Sequence, residues 1–416
     1  LTSPLDPDYK PKLRNVDTIH LVVEGRPVIG LKDPLQLREE TVCIRREAVP
    51  VVALFDGRHS LLDVQAALTR RFGQLVLVED LKNVVEKLDE ACLLEGDRFR
   101  QAFENKVAEY RNMPFRPASH AGTSYSADPV TLRNELTAFF AGESGPGLPA
   151  FFSDERRPVG LIAPHIDIRA GGRCFAAAYH ALAAGQPSDI YVILGTGHGG
   201  VEGLFAATTQ DFETPLGRVT TNREFLSELA TTLGRDPASE EILHASEHVI
   251  EFQVIFLQYL FGGRHPFTIV PILCSLSHHF FDDDGPFKGQ RRVFEEFCAG
   301  LKEVCRRSSR SVCFIASADL DHVGPRYGDS FIPDRGTISE ALEKDVSLLA
   351  SLENIDLGGF IQQIARENDS MRICGFSPIT TMFHCMDASE GRMLALDYAC
   401  VDDRSSFVSF AAAIFH

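Results

Sequence analysis

Residues 159–200, VGLIAPHIDIRAGGRCFAAAYHALAAGQPSDIYVILGTGHGG, decide the fold. Val159–Ala163 is a short apolar run bounded by proline, the pattern of a buried strand. The alanine-rich stretch GGRCFAAAYHALAAG over 171–185 then reads as a helix, and Ile190–Leu194 as the next strand. A strand, a crossover helix and a second apolar strand form a parallel unit that needs cover on both faces. Working outward, Phe267–Leu273, rich in β-branched residues, and Val312–Ala316 add two further strands. Leu394–Val401 and Ser406–Ala413 read as two strands with no helix between them, which implies antiparallel pairing. The expected class is α/β, with a mixed, largely parallel sheet flanked by helices.

Upstream, the chain changes character. Residues 1–14 read as a flexible arm. Residues 15–110 read as a small α+β unit of short strands followed by helices, and 111–416 as the α/β domain. Ile19–Val23 and Pro27–Gly30 are strand candidates joined through a turn at Glu24-Gly25-Arg26, followed by Thr41–Ile44. Leu61, Leu62, Val64, Ala67 and Leu68 repeat at helical spacing, with Ser60 as N-cap and Gly73 as terminator. A second helix is expected over Val78–Leu93. The prolines and lost periodicity of KVAEYRNMPFRPA, 106–118, mark a linker.

The bulk numbers bound the function. At 416 residues the chain suits two domains. A formal charge of −17 repels phosphate backbones, so nucleic acid is not an expected partner. No apolar run approaches the roughly 20 residues that span a bilayer, and the polar start LTSPLDPDYKPKLRNVD carries no signal-peptide core. The ten cysteines contain no CxxC pair, and several lie inside apolar runs. Together these place the chain in a reducing cytoplasm, away from membranes.

In parallel α/β sheets, ligands gather at the carboxyl ends of strands. The first strand ends in APHID, placing His165 and Asp167 at its tip. The second ends in LGTGHGG, placing His198 there. The Val312 strand ends in ASADLDHVG, bringing Asp319, Asp321 and His322. Three tips delivering imidazole or carboxylate to one sheet edge imply a shared site. Gly195, Gly197 and Gly200 formally fit GxGxxG, but no helix follows to receive a pyrophosphate, which argues against a dinucleotide. His248 and Glu251 lie at i and i+3 on one apolar helix. They read either as a buried pair that orients an imidazole or shuttles a proton, or as a structural pair. Cys374, shortly before a helix with Pro378 in its first turn, is either a thiolate-prone site cysteine or a buried one without a role. His278, His279 and His384 read as loop or core histidines.

The segments PASHAGTSY, LIAPHIDIR, YVILGTGHGG, ETPLGRV, SEHVIEFQ, ASADLDHVG and RICGFSPI, in this order from residue 117 on, resemble the Memo family. That family is similar to the catalytic subunit of class III extradiol dioxygenases. The resemblance implies that His165, His198 and Cys374 hold one divalent transition metal, with Fe(II) favoured and Cu or Zn as the other candidates. It implies that Asp319, His322, His248 and His120 line the same pocket; on the oxidoreductase reading His322 serves as acid/base, Asp319 positions it or a metal-bound water, and His248 stands behind the ligands. The sequence departs from the family pattern at Gly199, where many members carry a second histidine, at Ile166-Asp167 and at Val323. The N-terminal stretch ALFDGRHSLLDVQAALTRRFG with LDEACLLEG resembles the winged-helix-like PqqD-type peptide chaperones. By resemblance the partners are a radical SAM enzyme and an Ammecr-type protein, with a peptide at the N-terminal unit. Three functions follow: an iron-dependent, dioxygenase-like oxidoreductase, a non-catalytic metal- or peptide-binding scaffold, and a zinc-type hydrolase.

Overall fold

The computed structural model describes residues 6–416 apart from 24, 34, 36, 39, 74, 75 and 282–287. The chain divides into two compact units, Leu1–Asn112 and Met113–His416.

The small unit opens with an antiparallel sheet of β1 (Asp17–Val23), β2 (Arg26–Lys32) and β3 (Val42–Arg45), in that order. The expected turn residue Glu24 lies outside the described residues. Four helices follow: α1 (Val49–Val52), α2 (Leu61–Phe72), α3 (Val78–Glu90) and α4 (Asp97–Asn112). The reading of Ser60 and Gly73 has a direct local cause. Ser60 Oγ accepts the Asp63 N–H at 3.2 Å while the Asp63 carboxylate accepts the Ser60 N–H at 2.9 Å, a reciprocal cap. Gly73 ends α2 at φ 67°, the left-handed geometry that glycine adopts without a Cβ penalty. Leu61, Val64 and Leu68 of α2 meet Leu81, Val85 and Leu88 of α3 in one core with Phe55 and Leu31. Part of the stretch expected as a free arm is packed: Tyr9 and Leu13 lie against this core, and the N–H groups of Leu13 and Arg14 bond to the carbonyls of Phe55 and Leu93 at 2.7 and 2.9 Å. Apolar side chains at alternate positions and available carbonyls dock it despite its prolines.

The large unit begins with α5 (Pro129–Ala141) and β4 (Gly160–Ala163), then α6 (Ile168–Ala184), β5 (Ile190–Thr196), and three short strands β6 (Phe205–Ala207), β7 (Phe212–Thr214) and β8 (Gly217–Val219). It continues through α7 (Arg223–Leu233), α8 (Val249–Phe261), β9 (Thr268–Cys274), α9 (Lys288–Arg307), β10 (Val312–Ser317) and β11 (Asp319–Val323). It closes with α10 (Arg335–Glu353), α11 (Leu357–Arg366), α12 (Phe376–Cys385), β12 (Gly391–Cys400) and β13 (Phe407–Phe415).

One mixed sheet runs β11-β13-β4-β10-β5-β9-β6, with β12 paired to β13. Its centre, β4-β10-β5-β9, is parallel, and the pairs involving β13 and β6 are antiparallel. β12 and β13 turn back on each other through a short loop, so the chain's last strand can lie antiparallel beside β4. Helices cover both faces, giving two separate cores, as parallel strands buried on both sides require. α8 shows the logic at its extreme: every residue but Tyr259 is buried, as expected of a helix apolar all round. Among the described residues no helix is long and apolar enough to cross a membrane.

Candidate metal centre

The carboxyl ends of the parallel strands form the site. β4 runs out at Ala163, and after Pro164 the chain presents His165, which is 2% exposed. β5 runs out at Thr196 and presents His198 two residues later. The third donor comes from far along the chain: Cys374 precedes α12, and its Sγ lies 3.1 Å from His165 Nε2. Gly375 makes this approach feasible. A Cβ there would stand 2.5 Å from the Asp319 carbonyl oxygen and 2.7 Å from Ala318 Cβ, whereas the Gly375 N–H instead bonds to that carbonyl at 2.9 Å. One ligand atom from each of His165, His198 and Cys374 falls within 4.8 Å of the others.

Each donor is aimed from behind. His165 Nδ1 lies 3.0 Å from the Ser317 carbonyl, which fixes that nitrogen as the protonated donor and turns Nε2 toward the sulfur. The His165 backbone N–H donates to Asp319 Oδ1 at 2.9 Å, and Asp319 Oδ2 is 3.6 Å from the His165 Nε2. His198 Nδ1 lies 3.2 Å from both oxygens of Glu247, leaving its other nitrogen for the site. His248 Nδ1 also reaches Glu247, at 3.0 Å, and its ring stacks on His198 at 5.3 Å and 12°. His322 Nδ1 is held by the Leu320 carbonyl at 2.9 Å, and its ring meets Cys374 and, edge-on, Tyr327.

The electrostatics follow from burying charge together. Burial alone would raise the Cys374 thiol, but the charges of His165 and His322 and hydrogen bonds from His165 and His198 hold it well below the usual thiol range. Burial alone would lower His165, yet Asp319 and the Cys374 sulfur raise it to about 9. His198, whose side chain is 42% exposed, is raised as well, by Cys374 and Glu247. His322 is raised by the sulfur and Asp319 against burial, whereas His248 is lowered, burial and its two imidazole neighbours outweighing Glu247. Glu247 itself is held well down by His198 and His248 despite its burial. A thiolate among protonated imidazoles is a set of donors that exchanges protons for a metal cation. Two imidazoles and a thiolate suit Fe, Cu or Zn and leave coordination positions open.

His198, Glu247 and His248 form a second three-donor grouping within the same distance limit. There the carboxylate also accepts the backbone N–H groups of His198 and His248 at 3.1 and 3.0 Å, so its lone pairs already fix the loop and both rings. That chemistry is orientation of imidazoles rather than a second ion.

Several expectations need correction. The pair of His248 and Glu251 does not form. Glu251 instead meets Arg116 at 2.5 Å, both 0% exposed, and accepts from Tyr125 Oη and the His120 N–H. The reason is helix phase: α8 begins at Val249 with His248 as its N-cap, so the carboxylate beside His248 is the one before it, Glu247. Asp321 does not join Asp319 and His322, because the strand register shifts between Asp319 and His322 and the Asp321 carboxyl is buried near Asp345 instead. Asp167 caps α6, accepting the Arg169 N–H at 2.9 Å, and stays out of the site. His120 stands at the edge, its ring 5.7 Å from that of His248. His384 lies exposed on the last turn of α12, its ring against Phe281 and Phe294, and takes no part in the site. As expected, no helix follows Gly195–Gly200; the chain turns into β6.

Two residues with clear roles were not singled out from sequence. Glu247 lay inside SEHVIEFQ, where the i, i+3 rule favoured Glu251. Arg116 donates from Nε to the His244 carbonyl at 2.6 Å and from Nη2 to the Glu247 carbonyl at 2.7 Å, pinning the loop that carries Glu247. An arginine between Phe115 and Pro117 gives no such signal in one dimension.

A family model described as Memo-like protein matches residues 116–414. The chain is 26% identical over 410 residues to a MEMO1 family protein of Aquifex aeolicus, covering 98% of this chain and 100% of that protein. It is 31% identical over 307 residues to a MEMO1 family protein of Methanopyrus kandleri, covering 72% of this chain and 98% of that protein. A MEMO1 family protein of Sulfolobus acidocaldarius is 28% identical over 267 residues, covering 63% of this chain and 84% of its own.

Proposed function

The chain belongs to the Memo family, and from that premise we propose that it is a metal-dependent, dioxygenase-like oxidoreductase whose single ion is held by His165, His198 and Cys374. The observation that carries this reading is the meeting of two oriented imidazoles and one thiolate within 4.8 Å, a donor set that leaves coordination positions for a substrate. A bound divalent metal, with Fe(II) the best match to the family's likeness to extradiol enzymes, would supply redox and Lewis-acid chemistry there.

The chain's own residues divide the remaining work. Ser317 and Glu247 fix the tautomers of His165 and His198, so the nitrogens facing the sulfur need no reorganisation. Asp319 holds the His165 backbone and balances the positive charge beside it. His322, raised by the sulfur and Asp319 against burial, is the imidazole favoured to hold a proton and is the acid of the site. His248, lowered and held at Nδ1 by Glu247, keeps Nε2 unprotonated and is the group that accepts a proton. A thiolate among the ligands fits a reducing compartment such as the cytoplasm.

The small unit is proposed to receive a peptide, and the large unit to work with a radical SAM enzyme and an Ammecr-type protein. Support for the peptide is β1, an edge strand of its sheet, which exposes Ile19, Leu21, Val22 and Val23, with Val22 73% exposed.

The test is anaerobic purification, iron reconstitution and measurement of O2 consumption with catechol-type substrates. The expected result is metal-dependent turnover that His322→Ala removes while metal content stays at wild-type level. Stoichiometric iron without turnover under any of these conditions would leave a metal-binding scaffold in place of the enzyme.

A further inference from the structure

The stretch ETPLGRV, 213–219, takes no part in the metal centre. It makes up most of the β7–β8 hairpin, and Leu216, Gly217, Arg218 and Val219 wall a cavity of about 480 Å³ that is shared with Arg133 of α5 and the last turn of α8. His248 caps one end of α8 and Gly262, a residue lining this cavity, caps the other. The length of that 13-residue helix, about 20 Å, therefore separates the cavity from the metal centre.

Its lining carries one sign of charge. The chain has 58 Asp and Glu against 41 Lys and Arg, yet none of the residues lining this cavity is acidic, while Arg133 and Arg218 are basic. Arg133 makes no ion pair among the described residues. Arg218 is steadied by the Phe115 ring, 3.8 Å below its guanidinium, and is paired only loosely with Glu213, at 3.8 Å. Gln258, 7% exposed, accepts the Thr214 hydroxyl at its amide oxygen, and its Nε2 has no acceptor among the described residues. A Cβ on Gly217 would stand 3.8 Å from that nitrogen, so the buried donor faces the Gly217 wall of the cavity. An unmet donor in the interior needs a partner. The end of α8 would itself disfavour an anion, but its carbonyls are occupied. Gln258 O accepts the Gly262 N–H, Leu260 O accepts Arg264 Nη1, and Phe261 O accepts the N–H groups of Arg264 and His265. His265 also lines the cavity, its Nε2 3.9 Å from Asp189 without a hydrogen bond.

We propose that this cavity binds a phosphorylated small molecule, its phosphate held by Arg133, Arg218 and Gln258 Nε2. Two guanidinium forks and an amide, with no carboxylate set against them, suit an oxyanion with three free oxygens and a charge of about −1.5 to −2. A carboxylate, with two oxygens and a single charge, would leave donors unmet. At roughly 30 Å³ per water, a bare ion would leave most of the cavity to solvent. Pro266 and Phe267 give an organic body an apolar wall there.

The test titrates inorganic phosphate, glycerol 3-phosphate and succinate into the full chain by calorimetry. The full-length His165→Ala/His198→Ala variant is titrated in parallel, so that binding of an anion at the metal centre is told apart. Both proteins should take up one glycerol 3-phosphate, at least as tightly as inorganic phosphate and more tightly than succinate. Arg133→Ala and Arg218→Ala should each weaken that binding about tenfold. Arg335→Ala, at an exposed position outside the lining, should leave it unchanged. No binding of either phosphate by the wild-type protein overturns the proposal, as do tighter binding of succinate, binding lost in the double histidine variant, or affinity that both cavity variants keep or that Arg335→Ala loses equally. Arg133→Ala, at an exposed position of α5, decides alone if Arg218→Ala does not fold.

Discussion

At the residue scale, the proposed centre depends on which atoms would face an ion and which hold them in place. His165 and His198 were legible because histidines stood at strand tips, positions that a parallel sheet brings together, whereas Cys374 was picked out by the family resemblance alone. Glu247 was not legible, because reading it needed the exact first turn of α8. Its role makes a sharp prediction: Glu247→Gln keeps the volume but removes the charge shared by His198 and His248, and should weaken metal binding by about 10–100-fold with little change in melting temperature. Competition titration against a chromophoric chelator checks this, and unchanged affinity would demote Glu247 to a structural group. A second prediction concerns protons. His165 is raised to about 9, so at neutral pH its Nε2 is protonated in the metal-free chain. A metal must displace that proton, so affinity should climb as pH rises from 6.5 toward about 9 and flatten beyond it. Calorimetry in buffers of different ionisation enthalpy should show proton release on binding at pH 7. Affinity that falls with rising pH would contradict the assigned protonation.

At the element scale, the central strands and the β12–β13 pair could be read from apolar runs, since strands buried on both faces leave few polar residues to confuse the pattern. β11 could not. DLDHV is short and acidic, and its pairing with β13 includes a register shift, so reading it as the mere tip of the Val312 strand put Asp321 with Asp319 and His322 when the fold sends it to α10. The loop before α8 was equally opaque, because its geometry depends on Arg116, 131 residues from the Glu247 carbonyl it holds. That arginine and Glu251 are fully buried partners, each satisfying the other. Arg116→Met should strand the Glu251 carboxylate and cost about 3–5 kcal/mol in urea unfolding. The same variant should lose metal affinity, because the Glu247 loop loses its anchor. A cost within about 0.5 kcal/mol, the usual range for an ordinary surface substitution, would mean the network is not what holds the loop.

At the scale of the whole molecule, the family match spans 116–414 and the Methanopyrus relative is covered almost end to end by 72% of this chain. The Aquifex relative instead matches over 98% of it, so the small unit has counterparts too. The sheet is what lets residues 165, 198 and 374 act as one group: β4 and β5 flank β10, and α12 packs below them to deliver the sulfur from 209 positions downstream of His165. No local pattern encodes that convergence; the family resemblance stood in for it. X-ray absorption at the edge of the bound metal tests it most directly. The account predicts one sulfur scatterer at about 2.3 Å with nitrogen and oxygen neighbours at about 2.0–2.2 Å. Cys374→Ser should remove the sulfur, and His165→Ala or His198→Ala the metal. A shell of light atoms alone in the wild-type protein, or full metal retained by both histidine variants, would contradict it.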